Sequence, residues 1–307
     1  MKVLVLGGNG FIGSHLIDRL LAGGHKVSVF DRQPELYRDP LPEVTYHIGD
    51  FGNRSALTQA LKGIDVLFHL VSTTVPKTSN EDLAFDVSSN VVESIYLLEK
   101  CVEEGVKKVV FVSSGGAVYG TPERVPVSED NPTHPESSYG ITKLTIEKYF
   151  ALFHRLHGLD YVIVRPSNPY GPRQNPGGSQ GVIAVFLGKI AAGQTIEVWG
   201  DGEATKDYIY IDDLVEGMYR AAFVKRSSRI LNLGTGVGHS VNDLVQTIEK
   251  LVNHPIPVIY SPRETFDVSR IFLDISRAKT ELDWEPATPL AVGMEKMWTF
   301  IKEIIPA

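Results

Sequence analysis

Cysteine is nearly absent from this chain of 307 residues, which contains a single one, Cys101. One thiol excludes a disulfide framework and a cysteine-rich metal site, and it is typical of a reducing compartment such as the cytoplasm. The 9 histidines lack the short spacings of metal ligands, so the sequence predicts no metal centre.

Long apolar runs are absent too. No stretch approaches the roughly 18 apolar residues of a membrane span, and glycines interrupt the apolar N-terminal run too early for a signal peptide. Positive charge is in the minority, because 30 Lys and Arg against 37 Asp and Glu leave a formal charge of -7 at pH 7. This balance argues against a general surface for nucleic acid or anionic membrane, and we expect a cytoplasmic protein.

Apolar, strand-like segments alternate with amphipathic, helix-like segments from the first residues. Strands are predicted at 2–6, 26–30, 44–48, 66–70, 109–113 and 161–165, and helices at 11–21, 55–61, 87–103 and 139–157. This alternation predicts an α/β fold, a doubly wound parallel sheet of Rossmann type with helices on both faces.

The texture of the sequence changes after residue 166, where Pro and Gly become frequent. We therefore expect a cofactor-binding domain at 1–166 and mostly a smaller α/β substrate domain at 167–307. Residues 203–235, with the apolar segment Ile230–Leu233, are expected to return to the main sheet.

The first predicted strand runs directly into a glycine-rich turn that opens the first helix. Glycines permit a tight turn, a close approach of the backbone to a pyrophosphate and close packing of helix on strand. The free N–H groups and the positive dipole end of the helix favour phosphate. A glycine pattern in this context predicts a dinucleotide site, formed by Gly7, Gly10, Phe11, Ile12 and Gly13.

Residues at the ends of later strands are assigned to the same cofactor. Asp31 follows the glycines by about 20 residues, where a carboxylate accepts hydrogen bonds from an adenosine ribose. This favours NAD over NADP, although Arg32 weakens the preference. Asp50 could reach the adenine or cap a helix. Phe51 and Leu70 complete the predicted cofactor contacts.

A candidate catalytic group combines a phenol, a cation and a hydroxyl. Tyr139 and Lys143 lie one helical turn apart on the same face of a predicted helix, and Ser114 closes an upstream strand. A nearby Lys⁺ and a nicotinamide ring are expected to lower the pKa of the tyrosine from its usual value near 10. The tyrosine could then take a proton from an alcohol while hydride leaves the same carbon.

A second Tyr-x-x-x-Lys pair, Tyr96 and Lys100, shows that the bare pattern is not specific. It lies inside the predicted helix 87–103 with no serine strand before it. We interpret this pair as packing and a solvated charge.

Together, these motifs resemble extended short-chain dehydrogenases/reductases of the NAD-dependent epimerase/dehydratase family, and above all its UDP-glucose 4-epimerases. The resemblance covers nearly the whole chain. It also includes Val118-Tyr119-Gly120 after the serine strand, Asn168-Pro169 after the sixth strand, and the segments 207–213 and 232–236.

One position departs from the family pattern, which usually places Ser or Thr four residues before the tyrosine of that Tyr-Gly pair. Here this position is Gly115. A one-residue insertion at Gly115-Gly116 would restore Ser114 as the catalytic hydroxyl, and Ser113 is the alternative.

The resemblance implies NAD as the cofactor and a UDP-sugar, or a similar nucleotide sugar, as the substrate. Substrate contacts are then expected from Ser114, Asn168, Val182, Lys206, Arg263 and Asp267. Lys206 stands where the family usually has Arg, and it would neutralise phosphate without the forked geometry of a guanidinium. Helices around 91–103 and 139–157 are expected to form the seam of a homodimer.

The choice of reaction depends on what is missing after the serine strand. Related dehydratases have an acid pair there, whereas this chain has Gly115-Gly116-Ala117. The resemblance then favours NAD-dependent 4-epimerisation of a UDP-hexose through a transient 4-keto sugar. Two alternatives stay open: an NAD(P)H-dependent reductase of a nucleotide-linked keto-sugar, and a non-catalytic NAD-binding protein of the same fold.

Overall fold

The structure is a computed structural model that describes residues 1–178, 180–262 and 268–305. Its strands are β1 (Lys2–Leu6), β2 (Lys26–Asp31), β3 (Val44–Ile48), β4 (Val66–His69), β5 (Lys108–Val112), β6 (Asp160–Pro166), β7 (Asn168–Tyr170), β8 (Ile196–Trp199), β9 (Thr205–Lys206), β10 (Tyr208–Tyr210), β11 (Ile230–Leu233), β12 (His239–Ser240), β13 (Val258–Ser261) and β14 (Arg270–Ile271). Its helices are α1 (Phe11–Ala22), α2 (Arg54–Leu61), α3 (Leu83–Asp86), α4 (Glu93–Glu103), α5 (Ser138–His157), α6 (Val182–Ala191), α7 (Ile211–Phe223), α8 (Val241–Val252), α9 (Ser276–Leu282) and α10 (Leu290–Ile304).

Seven parallel strands form the central sheet in the order β11-β6-β5-β4-β1-β2-β3. The inner strands are apolar along their length because helices cover both faces, and β4 is buried from Val66 to His69. The strand order reverses between β1 and β4. In such sheets, the crevice at the carboxyl ends of the strands at this reversal is where a ligand binds.

Each face of the sheet is covered by its own set of helices. On one face, α1 and α7 contribute Leu16 and Met218 to a core shared with alternate residues of the strands. On the other face, α2, α4 and α5 contribute Leu57, Leu98 and Phe150 to a second core. The two cores explain why α1, α4 and α5 each show an apolar stripe in the sequence.

The predicted fold class is confirmed. All six predicted strands are present, and each end lies within one residue of its predicted position. A seventh strand, β11, pairs in parallel with β6, with Ile230 opposite Ile163. The division of the chain into two domains at residue 166 stays a prediction.

The predicted helix 87–103 differs from the observed one. A short α3 is followed by a π-helical segment, Val87–Val92, and only then by α4. The side-chain amide of Asn90 donates to the backbone carbonyl of Asp86 at 3.0 Å. A side chain inserted into the hydrogen-bond ladder is a recognised cause of such a helical irregularity, and π-segments often mark functional sites.

Small sheets and helices from the second half of the chain lie beside the main sheet. Strands β7 and β10 pair in parallel, β13 pairs with β8, and β9 lies between β12 and β14. Helix α10 packs against α6 and α8. Among the residues described, none of the helices combines the length and apolar content that a membrane span requires.

Candidate active site

The glycine turn after β1 is shaped by close contact with α1. Gly7 has a φ of 79°, which favours glycine. A Cβ added at Gly13 would lie 2.3 Å from the carbonyl oxygen of Gly7 and 2.6 Å from the Cα of Gly8, so no larger residue fits there. Helix α1 begins at Phe11 without a side-chain cap in the described structure. The N–H groups of its first turn, which includes Ile12, are therefore available to phosphate oxygens.

Asp31 ends β2 beside this turn. The backbone N–H of Asn9 donates to its Oδ2 at 3.0 Å, and that of Gln33 to its Oδ1 at 3.1 Å. The turn and the carboxylate are thus held as one unit. Phosphates at the start of α1 and a ribose at Asp31 is the arrangement that dinucleotide-binding turns use, and these roles for Gly10 and Asp31 stay a prediction. Arg32 follows as an exposed residue.

The remaining predicted cofactor residues lie at the ends of β3 and β4. Asp50 is exposed, and its Oδ1 accepts the backbone N–H of Gly52 at 2.9 Å. The alternative that Asp50 caps a helix is wrong, because Asn53 caps α2. Phe51 is buried in the core against the ring of His69, and Leu70 is partly buried directly after β4.

The N-terminal end of α5 packs closely against the turn that follows β5. A Cβ added at Gly140 would lie 2.6 Å from the carbonyl oxygen of Ala117, so glycine permits this close approach. Ser137 caps the helix, and Ser79 accepts the backbone N–H of Tyr139 at 3.0 Å. The result places the Tyr139 phenol beside the side chain of Ser114, which acts to lower the pKa of the phenol.

The two candidate serines have different surroundings. The Ser113 hydroxyl is buried and donates to Glu147 Oε1 at 2.5 Å. Ser114 instead lines a large cavity and bonds Tyr139. This geometry supports Ser114 over Ser113 as the candidate catalytic hydroxyl.

Lys143 lies beneath Tyr139 on α5. Its Nζ donates to the backbone carbonyl of Val112 at 3.0 Å and lies 5.7 Å from the centroid of the Tyr139 ring. Burial lowers the pKa of Lys143 to about 8, although the negative charges of Glu147 and Asp86 oppose that shift.

The fall expected in the pKa of Tyr139, from Lys143 and a nicotinamide ring together, stays a prediction. In the protein alone, burial raises the pKa of Tyr139 to about 12, because the phenolate loses hydration. The interaction with Ser114 lowers this pKa in part, and the charge of Asp86 raises it further.

His69, at the end of β4, belongs to the core. Its Nε2 lies 2.9 Å from the Ser94 hydroxyl, and burial together with the charge of Lys143 lowers its pKa to about 3. The imidazole is therefore neutral across the physiological range. Within the described residues, no group of three or more His, Cys, Asp or Glu side chains is arranged to hold a metal ion.

A cavity of about 640 Å³ opens from Ser114 towards the second half of the chain. Its lining includes four of the six predicted substrate residues, which are Ser114, Asn168, Val182 and Lys206, and also Gly116, Trp199 and Ile271. The amide of Asn168 donates to the Asp207 carbonyl at 2.9 Å, and Lys206 Nζ donates to the Val268 carbonyl. Arg263 and Asp267 lie outside the described residues.

Two further motifs meet behind this cavity. Asp207 is buried, and the backbone N–H and hydroxyl of Thr235 donate to its Oδ1 at 2.9 and 2.7 Å. The N–H groups of Gly236 and Leu273 donate to its Oδ2. Burial nevertheless raises the pKa of Asp207. The segments 207–213 and 232–236 are thus joined by one buried carboxylate that supports the cavity wall.

Sequence reasoning missed three buried charged residues beside the site: Asp86, Glu147 and Arg165. A signal for the first was present, since Asp86, Asn90 and Ser94 recur every four residues and so share one helix face. That polar stripe lies in a helix that must otherwise bury apolar residues.

The second Tyr-x-x-x-Lys pair has a different environment. The Tyr96 hydroxyl lies 2.9 Å from Thr58 Oγ1, and Lys100 pairs with Glu103 at 2.5 Å at the surface. These contacts agree with the interpretation as packing and a solvated charge.

The sequence matches the model of the NAD dependent epimerase/dehydratase family over residues 3–234. The chain belongs to this family, and the predicted resemblance is confirmed. Among curated relatives, a UDP-glucose 4-epimerase of Mycolicibacterium smegmatis is 39% identical over 98% of this chain and 99% of its own length. A dTDP-4-dehydro-6-deoxyglucose reductase of Escherichia coli is 32% identical over 96% of both chains.

Solved structures give the same picture. The UDP-glucose 4-epimerase of Thermotoga maritima with UDP-glucose is similar with a TM-score of 0.94 at 34% identity, over 99% of both chains. The Thermus thermophilus UDP-glucose 4-epimerase in complex with NAD has a TM-score of 0.91 at 31% identity, over 98% of this chain and 99% of that one. The predictions of an NAD-dependent nucleotide-sugar epimerase as the class, and of NAD as the cofactor, are thereby confirmed.

Proposed function

We propose that this chain inverts C4 of a UDP-hexose, using NAD that is oxidised and reduced in the same turnover. The observation that carries the proposal is the position of Ser114, which lines the large cavity and interacts with the phenol of Tyr139.

The residues of the chain supply binding, orientation and proton transfer. Tyr139 takes the proton of the sugar hydroxyl, and Ser114 holds the same oxygen and relays the proton. Lys143 supplies the positive charge that favours phenolate. The residues of the glycine turn and Asp31 would hold NAD, which would supply the reversible hydride acceptor for the sugar carbon.

The cavity favours epimerisation over elimination of water. Gly116 lines it without any side chain, in the segment where related dehydratases have acids. Two acids among the described residues line the cavity, and both accept hydrogen bonds from neighbouring loops or strands. Glu136 accepts the backbone N–H of Thr121 at 2.8 Å, and Glu197 accepts the hydroxyl of Ser261 at 2.5 Å. A volume of about 640 Å³ leaves room for the sugar ring to present its other face to the cofactor.

The principal test is conversion of UDP-glucose to its C4 epimer, with a matched pair of variants. Tyr139→Phe removes the proton acceptor, so we expect kcat to fall by about 10²–10⁴-fold. Tyr96→Phe removes the same hydroxyl from the second Tyr-x-x-x-Lys pair and is expected to leave kcat unchanged. Full activity in Tyr139→Phe would refute the assignment.

The rival reductase is separated by following the nicotinamide absorbance during turnover. An epimerase shows no net change at steady state, because each hydride is returned. Stoichiometric consumption of NADH or NADPH with a nucleotide-linked keto-sugar would support the reductase instead. UDP-N-acetylglucosamine and UDP-glucuronate, assayed beside UDP-glucose, define which sugar substituents are accepted.

We also propose that two copies of the chain form a homodimer through helices α5 and α3. Leu83 and Phe85 on α3 are 59% and 51% exposed, and Ile141 and Leu156 on α5 are 52% and 59% exposed. A second copy would cover these side chains in a symmetric contact. Sedimentation should give a dimer, and Leu156→Glu should give monomers, since a buried unpaired charge destabilises the contact.

We place the protein in the cytoplasm. The proposal is supported by the single cysteine, Cys101, which is buried in the core and whose thiol pKa is raised by that burial. Recovery of the native protein in a cytoplasmic fraction tests this assignment, and recovery in a secreted fraction would contradict it.

A further inference from the structure

A fully buried carboxylate lies next to the candidate catalytic helix and has no part in the mechanism proposed above. Asp86, at the end of α3, is 0% exposed. The Ser138 hydroxyl donates to its Oδ2 at 2.6 Å. The Asn90 amide donates to its Oδ1 at 3.0 Å, and the Thr74 hydroxyl donates to the same oxygen.

The three side chains around Asp86 can each donate a hydrogen bond to its carboxyl oxygens. The Thr74 hydroxyl already accepts from Asn90 Nδ2 at 3.3 Å, which leaves its proton for Asp86. Ser138 is also the first residue of α5, where the helix dipole stabilises negative charge.

The described hydrogen-bond partners of the Asp86 carboxyl group are all neutral side chains. On α5, Glu147 is paired with Arg165, whose Nη2 lies 2.5 Å from Glu147 Oε2. On β4, His69 is neutral. Lys143, on α5, is the buried cation that responds to both carboxylates, and Glu147 has the larger effect. Lys77 and Glu81, which flank the 3₁₀ turn Thr78–Asn80, are exposed to water and screened.

Asp86 also fixes the position of the catalytic tyrosine. Its bond to Ser138 holds the residue that directly precedes Tyr139. Asn80 and Ser79, from the 3₁₀ turn, accept the backbone N–H groups of Ser138 and Tyr139, each at 3.0 Å. The first turn of α5 is therefore clamped from α3 and from the 3₁₀ turn together.

We infer that Asp86 is a positioning residue: it is buried beside α5, holds Ser138 directly before Tyr139, and sets the pH range of the reaction through its charge. This inference rests on the proposed function of Tyr139 and Lys143.

The direction of the effect follows from the two neighbours. The charge of Asp86 raises the pKa of Tyr139 and also raises that of Lys143. Neutralising it makes both groups lose their protons at lower pH. Both limbs of the profile of kcat/KM against pH should therefore move towards acid together, without a change in its width.

The test compares Asp86→Asn with Ser138→Ala. Asp86→Asn removes the charge and keeps the shape, so we expect the whole profile to move to lower pH by on the order of 1 unit. Ser138→Ala removes the hydrogen bond and keeps the charge, so we expect a lower kcat with both limbs in place. Asp86→Ser, a second neutral variant, repeats the measurement if the asparagine variant folds poorly.

A spectroscopic readout makes the test independent of turnover. Ultraviolet titration of tyrosinate, with Tyr139→Phe subtracted, reports ionisation of that phenol directly, and Asp86→Asn should shift it to lower pH. An unmoved titration in folded Asp86→Asn, or an equal shift in Ser138→Ala, overturns the inference. Epimerase activity that survives in Tyr139→Phe overturns the proposed function instead, and the two failures are therefore distinct.

Discussion

Helix α5 carries one buried carboxylate, Glu147, and packs against another, Asp86, and the two are compensated in opposite ways. Glu147 forms a two-point ion pair with Arg165, at 3.0 Å from Nε and 2.5 Å from Nη2, and both side chains are 2% exposed. Asp86 is equally buried but is bonded to the neutral donors Ser138, Thr74 and Asn90.

The difference separates an acid held in an ion pair from one whose charge acts on Tyr139 as well as on Lys143. Removal of one member of the ion pair leaves an uncompensated charge inside the protein, although Glu147 also raises the pKa of Lys143, more strongly than Asp86 does. A carboxylate solvated by hydroxyls and an amide keeps its net charge, which then influences Tyr139 and Lys143. The comparison predicts large stability effects at Glu147 and large pH effects at Asp86.

The largest expected effect comes from breaking the ion pair. Glu147→Gln leaves the Arg165 guanidinium buried without a counter-charge, so we expect a loss of about 3–5 kcal/mol in the free energy of unfolding. Urea denaturation measures it. The double variant Glu147→Leu with Arg165→Met removes both charges and should cost less than either single change. A single-variant loss below about 1 kcal/mol would contradict the role of this pair.

The next largest difference is expected between substitutions of the adjacent serines, Ser113 and Ser114. Ser114→Ala removes the hydroxyl that bonds Tyr139 and faces the cavity, so we expect kcat to fall by about 10²-fold with stability nearly unchanged. Ser113→Ala removes the donor to Glu147, so we expect a loss of about 1 kcal/mol in stability and little change in kcat. Reversed results would make Ser113 the catalytic hydroxyl.

Lys143, which responds to both carboxylates, gives a pH-dependent stability. Its pKa is about 8 in the folded protein against an ordinary 10.5, so between these values the unfolded chain binds more protons than the folded one. The free energy of unfolding should therefore rise with pH across that range. Lys143→Met should abolish the rise, and Lys100→Met, at the surface, should preserve it. Denaturation midpoints of the three proteins, measured at several pH values, test whether this rise occurs and whether it depends on Lys143.

The smallest effect is expected from one of the neutral donors to Asp86. Thr74→Val removes a single hydroxyl, and Ser138 and Asn90 remain, so we expect a loss of about 1 kcal/mol in stability. This is well below the loss expected for Glu147→Gln. Equal losses of stability in Thr74→Val and Glu147→Gln would contradict the distinction between the ion-paired Glu147 and Asp86, which is bonded to neutral donors.

The sequence predicted the sheet well because each inner parallel strand is a short, continuously apolar segment, such as Val109–Val112. It predicted the glycine turn because the steric demand at Gly13 is local and visible in the spacing. It also predicted that Tyr139 and Ser114 act together although they are separated in the chain, because each is placed by a recognisable helix or strand.

The sequence could not supply the electrostatics of the site. Glu147 and Asp86 each look like a solvated charge in an amphipathic helix, since periodicity does not show which face meets Arg165 or Ser138. The π-helical segment depends on a side chain of Asn90 that inserts into the helix, which no propensity predicts. The raised pKa of Tyr139 depends on burial, a property of the whole fold.

The late strand β11 has a consequence for how the protein is made. The ribosome completes β1–β6 by Pro166, but the outer neighbour of β6 emerges only at Ile230–Leu233. During synthesis of the intervening stretch, β6 presents unpaired backbone groups along its outer side. Exposed edges of this kind promote association between nascent chains. A truncation after residue 166 would make that transient state permanent.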